Sequence, residues 1–278
     1  MSGRRLRAGL AVLLRSGAMA GRIRVEKEGE LGWIVFDHPE RHNAITTDMW
    51  EAIPGATHRL AEDPAVRVAV LRGAGERAFV SGADISEFQE QRSGAAAMAY
   101  EERNARAFAA LAQFPKPLLA MIHGYCVGGG MSIVIEADLR FAAEDARFAV
   151  PAGRLGLAYP TGSLRTLVSL VGPATAKDLF FTARRFDAAE AQRLGLLNEV
   201  LPKGDLETRV REVAAQIGAN APLTLRAAKR VIADQAQEPA ARDATAIREA
   251  IGACFGSEDY QEGIRAFLEK RAPSFRGR

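Results

Sequence analysis

The stretch His123-Gly124-Tyr125-Cys126-Val127-Gly128-Gly129-Gly130-Met131-Ser132 carries the most chemical information in this chain. The apolar run before it, Leu118-Leu119-Ala120-Met121-Ile122, reads as a short buried strand, and residues 131–137 read as the opening turns of a buried helix. Glycine has no Cβ, so a ligand atom can approach the backbone N–H groups between the two elements. N–H groups that open a helix have no internal partner and lie at the positive end of its dipole. Such a junction suits a phosphate, a carboxylate, or an oxyanion formed during a reaction. A tight turn without any ligand would have the same sequence, so a second donor has to be sought elsewhere.

A second junction of this kind lies upstream. Ala78-Phe79-Val80 reads as a strand that runs into Ser81-Gly82-Ala83-Asp84-Ile85. Asp84 suits the N-cap of a helix over 85–91. That leaves the Ala83 N–H free at a strand-to-helix turn, a second candidate donor. An Ala-rich helix over 94–112, ended by Phe114-Pro115-Lys116-Pro117, leads back to the first stretch. Strand, turn and helix thus occur twice in succession, with glycine at each carboxyl strand end. This order predicts an α/β fold whose ligands collect at those ends.

Working outward, residues 23–27 and 31–36 read as strands, 37–44 as a loop, 47–61 as a helix interrupted near Pro54-Gly55, and 66–71 as a buried strand. Downstream come strands at 138–143 and 146–150, then an irregular loop over 151–162. Helices at 164–171, 174–181 and 188–194 and a short strand at 199–201 follow. Everything after Asp205 is helical, over 206–219, 222–235, 240–255 and 259–271. The expected organisation is an α/β core over 23–205 and a helical section over 206–278.

Residues 1–22 stand apart, with Arg4, Arg5, Arg7, Arg15 and Arg22 and no acidic residue. A transit peptide has this composition. An extension read from an early start codon, with Met19 as the natural beginning, has it too. The expected location is the cytoplasm, or the mitochondrial matrix in the transit-peptide case.

Bulk composition excludes several classes. A net charge of +3 over 278 residues, with scattered arginines, does not suit nucleic acid. The longest run free of Asp, Glu, Lys and Arg, residues 117–135, contains Pro117, His123 and four glycines, and reads as a strand, a turn and a helix start rather than one membrane span. Four histidines without ligand spacing give no metal site. Cys126 and Cys254 are expected to be free thiols in a reducing compartment.

Two glycine-bearing strand ends, each offering one backbone donor, make an oxyanion hole, and the residues that form them resemble the crotonase superfamily, whose best-known member is enoyl-CoA hydratase. The likeness rests on Ser81-Gly82-Ala83-Asp84-Ile85, on Lys116-Pro117, and on Gly124 through Gly130. It extends from about Ile23 to the C-terminus, through Asn43-Ala44, Asp63-Pro64, Phe180-Phe181-Thr182, Gly195-Leu196 and Glu262-Gly263-Ile264. It implies a spiral of ββα units with a C-terminal helical trimerisation section, assembled as a homotrimer or dimer of trimers. It implies an acyl-CoA thioester as ligand, with coenzyme A present only as part of the substrate and no other cofactor. The thioester C=O would lie between the N–H groups of Ala83 and Gly129, with Asp84, Ile85 and Gly128 beside them. By the same resemblance Arg41 would lie near the CoA phosphates. Phe267 and Lys270 would complete the CoA site of a neighbouring subunit.

The pattern departs from the family at its centre. Hydratases of the superfamily use two glutamates, and the matching positions here are Ser132 and Ala152. Alanine transfers no proton, and serine has no suitable pKa without an activating base. Hydration by the usual route is therefore not expected. Tyr159 and Ser132 remain as polar groups, while Glu136 is expected one helical turn beyond Ser132, pointing away. Three functions stay open: an acyl-CoA lyase or isomerase with non-standard proton-transfer groups, a decarboxylase of a methylmalonyl-CoA-type thioester using Tyr159, and a CoA-thioester-binding protein without catalysis. The decarboxylase reading rests on a partial resemblance in the 155–159 loop and the C-terminus. A malonyl-type thioester also suits a site without carboxylates, which would repel it.

Overall fold

The structure is a computed structural model that describes residues 21–87, 95–159, 161–237 and 239–278. The sequence expectations for residues 1–20 and for 88–94, the latter part of the helix expected over 85–91, lie outside the described residues. The chain opens with strands β1 (Arg22–Glu28) and β2 (Leu31–Asp37), a 3-10 turn at Pro39–Arg41, and helix α1 (Thr47–Glu62). Strands β3 (Val68–Gly73) and β4 (Ala78–Val80) lead through a 3-10 turn at Ile85–Glu87 to helix α2 (Ala95–Ala112). Next come β5 (Leu118–Ile122), β6 (Tyr125–Val127) and helix α3 (Gly129–Val134). They are followed by β7 (Leu139–Ala143), β8 (Arg147–Ala149), and helices α4 (Ala152–Leu155) and α5 (Thr161–Thr182). Strand β9 (Arg185–Asp187), helix α6 (Ala188–Arg193) and strand β10 (Glu199–Leu201) complete the sheets. Helices α7 (Leu206–Gly218), α8 (Pro222–Gln235), α9 (Ala244–Phe255) and α10 (Glu258–Leu268) end the chain.

The strands divide between two sheets. One has the order β1-β2-β3-β5-β7-β10 and the other β4-β6-β8-β9. Among the strand pairs of the described residues, only β1–β2 and β8–β9 are antiparallel. The pairs β3/β4, β5/β6 and β7/β8 each give their first strand to the larger sheet and their second to the smaller. Each turn of the chain therefore advances both sheets by one strand, which makes the ββα spiral.

A parallel sheet buried on both faces reads as continuous apolar sequence, and strand periodicity of two sends alternate residues to opposite faces. In β5, Leu118, Ala120 and Ile122 pack in the main core, whereas Leu119 and Met121 pack in a second cluster. Trp33, Val35, Val68 and Val70 join that second cluster, which Leu206, Val210 and Ala214 of α7 cover. The first helix beyond Asp205 thus closes one face of the sheet, so the change to all-helical sequence marks no break in packing.

Three local expectations are corrected. Helix α1 runs through Pro54 without interruption. Proline removes one backbone donor, but the buried stripe of Met49, Trp50, Ile53, Ala56 and Leu60 holds the helix against the core. Helix α3 ends at Val134, and 3-10-type bonds from Glu136 to Ile133 and from Ala137 to Val134 tighten the chain behind it. Glu136 is consequently not an i,i+4 helical neighbour of Ser132. The 151–162 segment, expected as irregular, contains α4 and the first turn of α5. The break expected between residues 171 and 174 is present inside α5 as a kink at Gly172, with φ 79° and ψ 160°.

Two residues of the quoted motifs belong to the scaffold. The Asn43 side chain donates to the carbonyls of Ala78 (2.8 Å) and Ala74 (3.0 Å), fastening the loop after β2 to the start of β4. The buried Lys116 ammonium donates to the carbonyls of Leu60 (2.8 Å) and Asp63 (2.6 Å) at the end of α1. Burial lowers its pKa to about 8.

Candidate active site

The two strand-end junctions meet. Ile45 forms an isolated parallel bridge with Ala83. Its bonds, Ile45 N–H to Gly82 C=O and Asp84 N–H to Ile45 C=O, both 2.8 Å, flank Ala83 on either side. Neighbouring amides of an extended chain point to opposite sides. The Ala83 N–H therefore faces away from Ile45, and it has no backbone acceptor among the described residues. Gly129 is the first residue of α3, so its N–H has no acceptor within the helix. A Cβ built on Gly129 would lie 3.9 Å from the Ala83 nitrogen, which shows how closely the two junctions approach.

Separate causes require glycine at positions 128 and 130. Gly128 sits at φ +54°, where an L side chain is strained. A Cβ on Gly130 would run into the carbonyl of Val80. The peptide joining Gly128 to Gly129 is further held through its carbonyl, which accepts from the Ser132 N–H at 3.1 Å and from the Tyr159 phenol at 2.9 Å. A trans peptide directs its N–H opposite to its C=O. Fixing the Gly128 carbonyl therefore aims the Gly129 N–H.

These donors open onto a cavity of about 340 Å³, within the range that holds small ligands. Its floor is Ala83, Gly128, Gly129 and Ser132, and one wall is Ala152, Leu155, Leu157 and Tyr159. The opposite wall comes from α1 and α2. Trp50 lies against Gly129, its Cζ2 being 3.1 Å from a Cβ built there. Its indole N–H donates to the Tyr100 hydroxyl at 3.0 Å, and its ring packs edge-on against Phe108 at 5.3 Å. This contact turns the face of α2 between Tyr100 and Phe108 into the cavity, so that Glu101 and Asn104 line it.

Of the residues singled out from the sequence, Ala83, Gly128, Gly129, Ser132 and Tyr159 share this one cavity, and Ala152 lines it with them. Asp84 is buried directly behind, its carboxylate accepting from the Ser86 N–H (2.9 Å) and hydroxyl (2.7 Å). Burial raises its pKa, but the two Ser86 bonds, with Arg41 and His38 beyond, outweigh that and hold it below the ordinary value. Ile85 opens the following 3-10 turn. Arg41 is exposed at the end of its own 3-10 turn and does not line the cavity. Phe267 is 83 % exposed on α10 and borders a separate groove, with Lys270 just past the helix end at φ 54°. Within one chain neither reaches the cavity. Glu136 also lies outside it, and burial raises its pKa to about 7.

Glu101 and Asn104 were missed in the sequence, although a signal existed. Tyr100, Asn104, Ala107, Phe108 and Leu111 form the buried stripe of α2 at helical spacing, and Asn104 is its polar member. An amide in an apolar stripe asks for a partner. Sequence reading treated the helix as a plain Ala-rich connector.

Parallel ββα turns that bring two unpartnered strand-end amides to one apolar cavity define a protein of the crotonase fold. The chain belongs to the enoyl-CoA hydratase/isomerase family, whose family model matches residues 26–278. It is 34 % identical over 251 residues to a crotonyl-CoA hydratase of Syntrophomonas wolfei, covering 90 % of this chain and 96 % of that protein. It is 32 % identical over 267 residues to a carnitinyl-CoA dehydratase of Salmonella typhi, covering 94 % and 100 %. A crystal structure of an enoyl-CoA hydratase/isomerase family protein from Hyphomonas neptunium superposes with a TM-score of 0.88 at 40 % identity, covering 94 % of this chain and all of that one.

Proposed function

We propose that this chain is an enzyme acting on an acyl-CoA thioester, polarising its carbonyl between the N–H groups of Ala83 and Gly129. The convergence of these two amides on one cavity is the observation that carries the reading. Removing or adding a group next to a thioester places negative charge on the carbonyl oxygen. Preorganised donors aimed at that oxygen lower the barrier, a single one being worth about 3 kcal/mol. The mostly apolar walls suit an acyl chain. The reaction class that best suits the named relatives is reversible addition of water to an enoyl thioester, that is, hydratase or dehydratase chemistry.

Tyr159 acts here by holding a peptide. Its phenol hydrogen is donated to the Gly128 carbonyl, which supports positioning of the Gly129 donor over proton transfer to substrate. The decarboxylase alternative fares worse for another reason. Glu101 lines the cavity, and its carboxylate would repel the free carboxylate of a malonyl-type thioester. Arg41, exposed near the cavity's Asp84 side, is assigned to the CoA phosphates. By the family resemblance Phe267 and Lys270 are assigned to the CoA site of a second copy, and neither lines the cavity of its own chain.

Titration with acetoacetyl-CoA, followed by its enolate absorbance, tests the carbonyl site. Saturable binding with growth of the enolate band is expected, and the absence of both overturns the reading. Crotonyl-CoA then tests the reaction class through loss of the enoyl-thioester absorbance. Binding without turnover would favour a CoA-thioester-binding protein.

A further inference from the structure

The cavity holds an acid–base group at a place the family resemblance does not mark. We infer that Glu101 is the proton-transfer residue of this site, and that the Asn104 Oδ1 holds the water or substrate hydroxyl on which it acts. This rests on the acyl-CoA reading given above and adds to it the group that moves the proton.

Three observations lead there. First, among the described residues Glu101 is the only acid that lines the cavity, and no ion pair among them engages its carboxylate. Ser132 and Ala152 supply no carboxylate on the opposite side. No histidine or carboxylate is hydrogen-bonded to Ser132 among the described residues, so nothing activates it as a base. Second, Asn104 is only 6 % exposed, and its Oδ1 has no hydrogen-bond partner among the described residues. A buried carbonyl oxygen left unpaired is destabilising. A rotation of the Asn104 amide toward the cavity that this residue lines would offer the acceptor to an O–H or N–H that arrives with the ligand. Third, Glu101 and Asn104 are i,i+3 neighbours on one helix and therefore adjacent on its surface. Trp50 anchors that helix face to Gly129, so the carboxylate and the amide donors border the same space.

The chemistry balances with these groups alone. A water bound to Asn104 Oδ1 loses a proton to the Glu101 carboxylate as its oxygen bonds to the β-carbon of an enoyl thioester. The β-carbon's π-electron pair moves to form a double bond between the α- and carbonyl carbons. The carbonyl π-pair moves onto oxygen, where the Ala83 and Gly129 N–H groups receive it. The enolate then collapses, and its α-carbon takes the proton from Glu101, regenerating the carboxylate. In reverse this is dehydration of a 3-hydroxyacyl thioester, whose hydroxyl donates to Asn104 Oδ1. The same carboxylate exchanges the α-protons of a saturated thioester with solvent, because only the enolate step is then required.

That exchange gives a test that needs no knowledge of the natural substrate. Butyryl-CoA is incubated with the protein in D₂O, and α-deuteration is read by mass spectrometry, alongside the Kd for butyryl-CoA. The wild type should exchange. Glu101→Gln, which keeps size and shape, should bind within about twofold and lose at least 100-fold in exchange rate, the usual scale for an acid–base group. Glu101→Asp should keep part of the rate, and Asn104→Leu should lose hydration of crotonyl-CoA by a larger factor than it loses exchange. Exchange by Glu101→Gln at the wild-type rate overturns the proposal, as does a wild type that binds but never exchanges. Failure of the wild type to bind any acyl-CoA strikes instead at the acyl-CoA reading and takes this proposal with it. If Glu101→Gln is unstable, Glu101→Ala with added acetate should recover exchange, and no recovery counts against the assignment.

Discussion

Replacing Tyr159 by Phe separates a positioning role from a chemical one. The substitution removes one hydrogen bond, 2.9 Å from the phenol to the Gly128 carbonyl, and leaves the ring against Phe180 at 4.9 Å. The carbonyl keeps its bond from the Ser132 N–H at 3.1 Å, so the peptide loses one of two restraints. A neutral hydrogen bond contributes about 1 kcal/mol net. If that appears as misdirection of the Gly129 N–H in the transition state, about 1 kcal/mol corresponds to a rate loss of roughly fivefold. A phenol that donates the proton itself would cost about 100-fold or more. The assay is α-proton exchange of butyryl-CoA, with the acetoacetyl-CoA enolate band as a direct reading of the amide pair. A modest fall in both is expected. A loss beyond about 100-fold would refute positioning, because no single restraint of this size can produce it. An unchanged enolate band would show that Ser132 alone aligns the peptide.

Further outcomes follow from other parts of the molecule. Burial raises the Glu136 pKa from its ordinary 4.5 to about 7, so the folded protein holds a proton there that the unfolded chain releases. Stability is complete below pH 4.5 for this group and falls as pH rises through 7, by an upper limit of about 3 kcal/mol. Glu136→Gln should remove that slope and raise the urea midpoint at pH 8 more than at pH 5; equal shifts at both pH values would contradict it. Gly130→Ala should destabilise strongly or prevent folding, because its Cβ meets the Val80 carbonyl, whereas Gly55→Ala in the exposed middle of α1 meets nothing within 4 Å. The latter should stabilise by about 0.5–1 kcal/mol, and thermal melting of the pair checks both signs. Phe267 and Leu268, 83 % and 74 % exposed, should be covered by another copy of the chain. Sedimentation should therefore report an oligomer that the double Ser substitution dissociates, and a monomeric wild type would remove the assignment.

Much of the fold was legible because the local signals were strong. Continuous apolar runs such as Leu118–Ile122 mark strands buried on both faces, and each of the two strand-end turns carries glycine where a side chain would clash or strain. The Ala83 and Gly129 amides could be named in advance, since a residue at a strand-to-helix junction leaves its N–H without a regular partner. The three-residue strands β6 and β9 were not read as separate elements, being too short for periodicity to register. The true end of α3 was also missed. It is set by 3-10-type bonds beyond Val134, and no cap residue announces it.

The sequence by itself determined which backbone groups would be free, because glycine geometry and strand–helix order are local properties of the chain. Only the tertiary structure decided which side chains face those groups. Trp50 ties α2 to Gly129 across separate turns of the spiral, and that contact brings Glu101 and Asn104 into the cavity while leaving Glu136, close to Gly129 in sequence, outside it. The apolar spacing of a helix marks which side faces inward, but which cavity that side borders is fixed by packing between distant elements.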